Sequence, residues 1–146
     1  MTFFNYAHSP YPIREDIKAA YRNYWDTLKA AGNWWTGAER IAIAQEVRNA
    51  NQCEFCLARK QALSPYTFSG EHSHDGNLSP LAVDAIHRIV TDQHRITQQY
   101  IDTNSEAGLS DAQYIELTGV VVAVFSIDEF NRGLGLAPEE LPQPDA

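Results

Sequence analysis

The sequence predicts an all-α fold. Three observations point that way: apolar residues recur at helical spacing along most of the chain, capping-box patterns stand directly before two such stretches, and few runs alternate apolar and polar residues over the length of a strand. With 146 residues, 44% hydrophobic and 21% charged, the chain suits one globular domain that buries a core without crosslinks.

The first helix is expected over roughly 14–31, where Ile17, Tyr21, Tyr24, Trp25 and Leu28 recur at helical spacing, acidic residues fill the first turn and Gly32 stops the run. A second begins at Thr36, which forms a capping box with Glu39 and leads an apolar line of Ile41, Ile43, Ala44 and Val47. The run NANQ, 49–52, favours a break, so a new helix is expected near Cys53 with Asn51 as its N-cap. After Leu63 the segment SPYTFSGEHSHDGNLSP reads as a loop. Ser79 and Pro80 then open a long helix that reaches almost to Gly108, with a kink near Asp92. Ser110 and Gln113 repeat the capping box and start the last helix, 111 to about 132, closed by Gly133 and Gly135.

The middle of that last helix, Leu117 to Phe125, is apolar nearly all round, which predicts burial in the core or against a second copy of the chain, hence a homo-oligomer. Residues 1–136 are read as one helical domain and 137–146, Pro-rich and acidic, as a disordered tail or linker. Trp25, Trp34 and Trp35 read as core or interface packing.

Charge and hydropathy narrow the partners. A net charge of −8 argues against a surface built for phosphate backbones, so no nucleic acid is expected. The longest apolar stretch, 117–127, is about half of a bilayer span, so no membrane is expected, and the N-terminus lacks a secretory pattern. The expected location is cytoplasmic.

In a reducing compartment, a close cysteine pair is more often catalytic, redox-active or metal-binding than structural. Cys53 and Cys56 are the only cysteines, in the run NQCEFCLARK. At a helix N-terminus the dipole and unpaired N–H groups favour a thiolate, and the i, i+3 spacing lets one sulfur attack while the other resolves the product as a disulfide.

A helix with an acidic residue, a short Asn-containing break and a C-x-x-C opening the next helix together resemble the alkylhydroperoxidase D (AhpD) and carboxymuconolactone decarboxylase-like family, most closely over residues 34–64. The resemblance implies a compact all-α domain with a helical-hairpin core, assembled as a homo-oligomer. It also implies a cofactor-free peroxidase in which the Cys pair reduces hydroperoxides or exchanges disulfides. A glutamate and a histidine relay protons, and a dithiol donor such as a lipoylated protein restores the thiols. Two positions depart from that pattern: Lys60 stands where the family's histidine follows the second cysteine, and Ile41 where its glutamate precedes the first. The expected catalytic residues are therefore Cys53, Cys56 and, as the proton carrier, Glu46, with Lys60 as a nearby cation.

Each of these residues has an ordinary alternative. The cysteines can be inert core residues, Glu46 a surface carboxylate, and Lys60 and Arg59 a solvated face. His87 and His94, with Asp84 and Thr91 on the same stripe, could supply the relay, although a solvent-facing stripe is the simpler reading. No metal is expected, because two thiolates alone do not complete a tetrahedral site and His72 and His74 lie in a loop; a zinc site built from Cys53, Cys56, His72 and His74 is a further reading, as is a helical oligomer without activity.

Overall fold

A computed structural model describes residues 2–74 and 76–146. Among them are six α-helices and no strand: α1 Glu15–Lys29, α2 Gly37–Ala50, α3 Glu54–Gln61, α4 Pro80–Asp92, α5 Gln98–Ala107 and α6 Asp111–Gly133, with a 3₁₀ turn at Gln93–Arg95. The expected all-α class is the observed one.

Helix starts follow local chemistry. Both capping boxes form: Thr36 Oγ1 accepts from the Glu39 N–H at 3.1 Å while Glu39 Oε1 accepts from the Thr36 N–H at 3.0 Å, and Ser110 and Gln113 repeat the exchange at 3.2 and 3.0 Å. Ser79 caps α4 ahead of Pro80. Two boundaries differ from expectation. Asn51 is the C-cap of α2 rather than an N-cap; Cys53 itself occupies the N-cap position of α3, without a side-chain cap bond. The long helix expected after Pro80, with a kink near Asp92, is two helices, because the chain turns at Gln93–Arg95 and restarts at Thr97, whose Oγ1 accepts from the Tyr100 N–H. Arg95 fastens the turn by donating to the carbonyls of Ala62 and Arg59 at 2.6 and 3.1 Å.

Helices α2, α4 and α6 pack against one another in the centre, α1 lies on α2, α3 on α4 and α5 on α6. Trp25, Leu28, Ile43, Val47, Val83, Ile86, Leu117, Val121 and Val124 fill the core. Within the single chain one face of the middle of α6 is buried in the core, while Val122, and Ile115 two turns before it, are exposed. Trp25 and Trp35 are buried and find partners for their indole N–H groups in the carbonyls of Glu140 and Gln113, whereas Trp34 is exposed.

Residues 137–146, expected as a tail or linker, carry bonds to the helical body. The Phe4 N–H donates to Glu139 at 2.9 Å, Arg48 donates to the Glu139 carbonyl at 2.7 Å and the Asp145 N–H donates to the Lys29 carbonyl at 2.9 Å. Arg48 in turn forks onto the buried Asp128 of α6 at 3.1 Å, which links α2, α6 and this segment. No helix among the described residues is long and apolar enough to cross a membrane.

Candidate functional site

The break between α2 and α3 sets both cysteines against α4. Cys53 caps α3 and Cys56 lies in its first turn, so both sulfurs turn inward, and both residues are buried with free thiols. The loop that follows α3 returns across them. Its close approach depends on Gly70, where a Cβ would stand 2.5 Å from the Phe55 ring; Phe55 stacks on Phe68 and meets His72 edge-on at 4.8 Å.

Two histidines converge on the sulfurs. His72 Nδ1 lies 3.5 Å from Cys53 Sγ and 3.3 Å from Cys56 Sγ, and His87 Nδ1 lies 3.2 Å from Cys56 Sγ. The opposite nitrogen of each ring meets a carboxylate: His72 Nε2 is 2.8 Å from Asp84 Oδ1, and His87 Nε2 is 2.9 Å from Glu46 Oε1. Because a carboxylate accepts, these contacts assign the Nε2–H of each neutral ring to its carboxylate and leave the Nδ1 lone pair facing sulfur.

Asp84 is the hub of the outer layer. Besides His72 it accepts from Arg59 at 2.6 Å, Arg88 at 2.7 Å and the Tyr100 hydroxyl at 2.6 Å. Burial alone would raise its pKa, but these four donors outweigh it and hold the carboxyl well below the usual range. Arg88 is held between the rings of Tyr66 and Tyr100, at 4.6 and 4.8 Å.

The two thiols are electrostatically unlike. For Cys53 burial disfavours the anion, yet hydrogen bonds to the thiolate from the backbone of Ser73 and Cys56, and from the His72 ring once Nδ1 has taken the thiol proton, win, and the pKa falls to about 7. Burial pushes the Cys56 thiol up to about 12, the neighbouring Cys53 adds to the rise, and Arg59 offsets part of it. The pair therefore holds one negative charge readily and resists a second. Burial is also the largest influence on His87, and it lowers that pKa and keeps the ring neutral despite Glu46.

Comparison with family models, with curated proteins and with solved structures returned no match. What stands is a small all-helical domain carrying a C-x-x-C pair inside a His72/His87 cluster, an arrangement chemically suited to a redox pair or to a metal.

Of the residues expected from the sequence, Cys53, Cys56 and Glu46 come together, the last through His87; Glu46 is 2% exposed and is no surface carboxylate. His87 is buried, against the expectation of a solvated stripe, while His94 is exposed. The signal for His87 was present in the sequence, since Val83, Ile86 and Val90 mark the inward stripe of α4 and His87 falls within it. The zinc set imagined with His74 is corrected: His74 is exposed, and the four convergent donors are Cys53, Cys56, His72 and His87. The nearby cation is Arg59, 1% exposed with Nη2 4.0 Å from Cys56 Sγ, rather than the exposed Lys60. Arg59 lies three residues after Cys56 and hence on the same helix face.

A cleft of about 550 Å³ opens beside the cluster, with His72, Asp84, Arg88, Phe55 and Phe68 among its lining residues; neither cysteine lines it. His72 thus stands between the cleft and the sulfurs.

Proposed function

We propose that the protein is a cofactor-free thiol oxidoreductase that reduces hydroperoxides or exchanges disulfides through Cys53 and Cys56, in the manner of the AhpD-like peroxidases its C-x-x-C segment resembles. The observation that carries this reading is the pairing of each cysteine with a histidine that a carboxylate orients: Cys53 with His72 and Asp84, Cys56 with His87 and Glu46. The family's usual histidine and glutamate positions hold Lys60 and Ile41, and His87 of α4 with Glu46 of α2 offers the same pair of groups from elsewhere in the fold.

In this reading His72 Nδ1 takes the Cys53 proton, and Asp84 at Nε2 stabilises the imidazolium. The Cys53 thiolate attacks the terminal peroxide oxygen, the O–O bond breaks, and the alkoxide leaves as alcohol with the His72 proton. Cys56 gives its proton to His87 Nδ1, attacks the Cys53 sulfenic acid and forms the disulfide, and hydroxide leaves as water with that proton. The two thiols supply the two electrons that the peroxide accepts. Substrate approaches from the cleft that His72 lines. A dithiol donor, a lipoylated protein being one candidate partner, returns the pair to its reduced state by exchange.

The test is to mix reduced protein with cumene hydroperoxide and count thiols and alcohol formed. The expected result is loss of two thiols per alcohol produced, a Cys53–Cys56 disulfide by mass spectrometry, and recovery with dihydrolipoamide. Thiols that survive excess hydroperoxide and disulfide in the folded protein would refute the reading.

A further inference from the structure

We propose that the reduced protein binds one Zn²⁺ in a tetrahedral site made by Cys53, Cys56, His72 and His87, and that this metal-bound form is the closed state of the thiol centre. The site stands on donor geometry alone; its regulatory role rests on the redox reading above, because metal and oxidant compete for the same sulfurs.

Four soft or borderline donor atoms lie within 4.8 Å of one another. Zn–S bonds of about 2.3 Å and Zn–N bonds of about 2.0 Å at tetrahedral angles separate sulfur from nitrogen by roughly 3.5 Å. Three of the four sulfur–nitrogen distances, 3.2, 3.3 and 3.5 Å, need to relax by only a few tenths of an ångström, and the fourth, Cys53 to His87, lies within 4.8 Å. A C-x-x-C at the start of a helix is a common half of such a site, and the other half comes from a loop and a helix that cross it.

The outer layer strengthens the case. Both rings turn the same nitrogen, Nδ1, to the sulfurs and give Nε2 to a carboxylate, the carboxylate–histidine arrangement that fixes tautomer and orientation in metal sites. Glu46 and Asp84 make those bonds at 2.9 and 2.8 Å. A dication also answers a charge problem: two adjacent buried thiolates repel, and a metal between them compensates both. Four protein donors leave no open position, which fits a closed site rather than a catalytic metal.

Zinc sequesters both sulfurs behind His72. Oxidation of the two thiolates by a hydroperoxide, with two protons taken up from solvent, yields alcohol, water and the disulfide, removes two ligands and releases the ion. The Zn²⁺ form should therefore consume hydroperoxide more slowly than the metal-free form and release zinc as it does so.

The experiment uses the full chain, reduced and treated with a chelator, titrated with Zn²⁺ against a chromophoric competitor and separately with Co²⁺. The expected result is one equivalent bound, with the intense visible bands of tetrahedral cobalt and a thiolate-to-cobalt charge-transfer band. His74→Ala should behave as wild type. Glu46→Gln and Asp84→Asn should bind about 10- to 100-fold more weakly with the tetrahedral spectrum kept, because they touch the histidines and not the metal. His87→Gln and Cys56→Ser, checked for helicity by circular dichroism, should lose the tetrahedral spectrum. Octahedral cobalt, no stoichiometric binding, or loss of binding in His74→Ala with retention in His87→Gln would overturn the site. If zinc binds but leaves hydroperoxide consumption unchanged, the regulatory role falls while the site stands. If zinc binds and the metal-free thiols are inert to hydroperoxide, the redox reading falls instead.

Discussion

Glu46 and His87, 41 residues apart in sequence, share a 2.9 Å bond between Oε1 and Nε2 inside the helical core. The bond orients the second ring nitrogen onto Cys56 Sγ at 3.2 Å. Asn49 also donates to Glu46, at 3.2 Å, so the carboxylate is held from two sides. A buried carboxylate and a buried imidazole are both costly unless paired, and here each satisfies the other.

Replacing Glu46 with Gln keeps the shape and removes the charge that stabilises an imidazolium at His87. The expected outcome in metal-free protein is a fall of about 100-fold in the rate of disulfide closure after a hydroperoxide pulse, the order of effect of losing a positioned base. Sulfenic acid should accumulate at Cys53 and be trapped by dimedone. Closure at the wild-type rate in a correctly folded Gln variant would exclude Glu46 from proton transfer.

The two cysteines should separate cleanly in pH. In chelator-treated, reduced protein, alkylation at Cys53 should rise with a midpoint of about 7. Alkylation at Cys56 should lag far behind in the alkaline range, its thiol being pushed to about 12. The linkage signs are opposite. Cys53, lowered from an ordinary 9.0, adds stability that grows as pH climbs from about 7 towards 9. Cys56, raised from the same 9.0, subtracts stability once pH passes 9, where the unfolded chain ionises and the folded one does not. Peptide-resolved alkylation measures the first effect and urea unfolding across that range measures the second; equal midpoints for the two residues would refute both.

Asp84→Asn should cost about 3 kcal/mol in urea unfolding at neutral pH, because it leaves the buried Arg59 and Arg88 without their counter-charge. The wild-type carboxyl lies below its ordinary 3.8 when folded, so its contribution is complete above that value and drains away as pH falls below it. The Asn variant should therefore show a shallower loss of stability in acid than wild type. A neutral substitution with an unchanged acid slope would remove Asp84 from its place as hub.

Two glycine substitutions should have opposite signs. Gly70→Ala puts a methyl 2.5 Å from Phe55, whose ring is stacked on Phe68 and cannot turn away freely, so about 1–3 kcal/mol of destabilisation is expected, together with faster alkylation of both cysteines as the loop loosens. Gly119→Ala meets open space on the outer face of α6 and should stabilise by up to about 1 kcal/mol through helix propensity. Thermal unfolding reads both.

The all-α class, the starts of α2, α4 and α6 and the cysteine pair were legible in the sequence because they are local. Thr36 with Glu39, Ser110 with Gln113, and Ser79 before Pro80 act over three or four residues, and each does in the structure what its spacing predicts. Cys53 and Cys56 are three apart on one short helix, so their proximity is likewise set by the chain itself. Local signals misled where a distant partner decided the outcome. A kink near Asp92 is expected from the sequence, but nothing local announces that Arg95 will tie the chain to the carbonyls of Ala62 and Arg59 and split the helix there. The periodicity of α6 could not say which apolar residues would find a neighbour, and Val122 finds none within the chain. The composition of the site was decided by tertiary packing alone. His72 reaches the sulfurs only because a loop closes back over Phe55 at Gly70, and His87 only because α4 packs its inward stripe against α2, where Glu46 waits one turn before the break. Spacing can put two sulfurs side by side, but four donors and two carboxylates from three helices and a loop meet only when burial of the apolar faces drives those elements together.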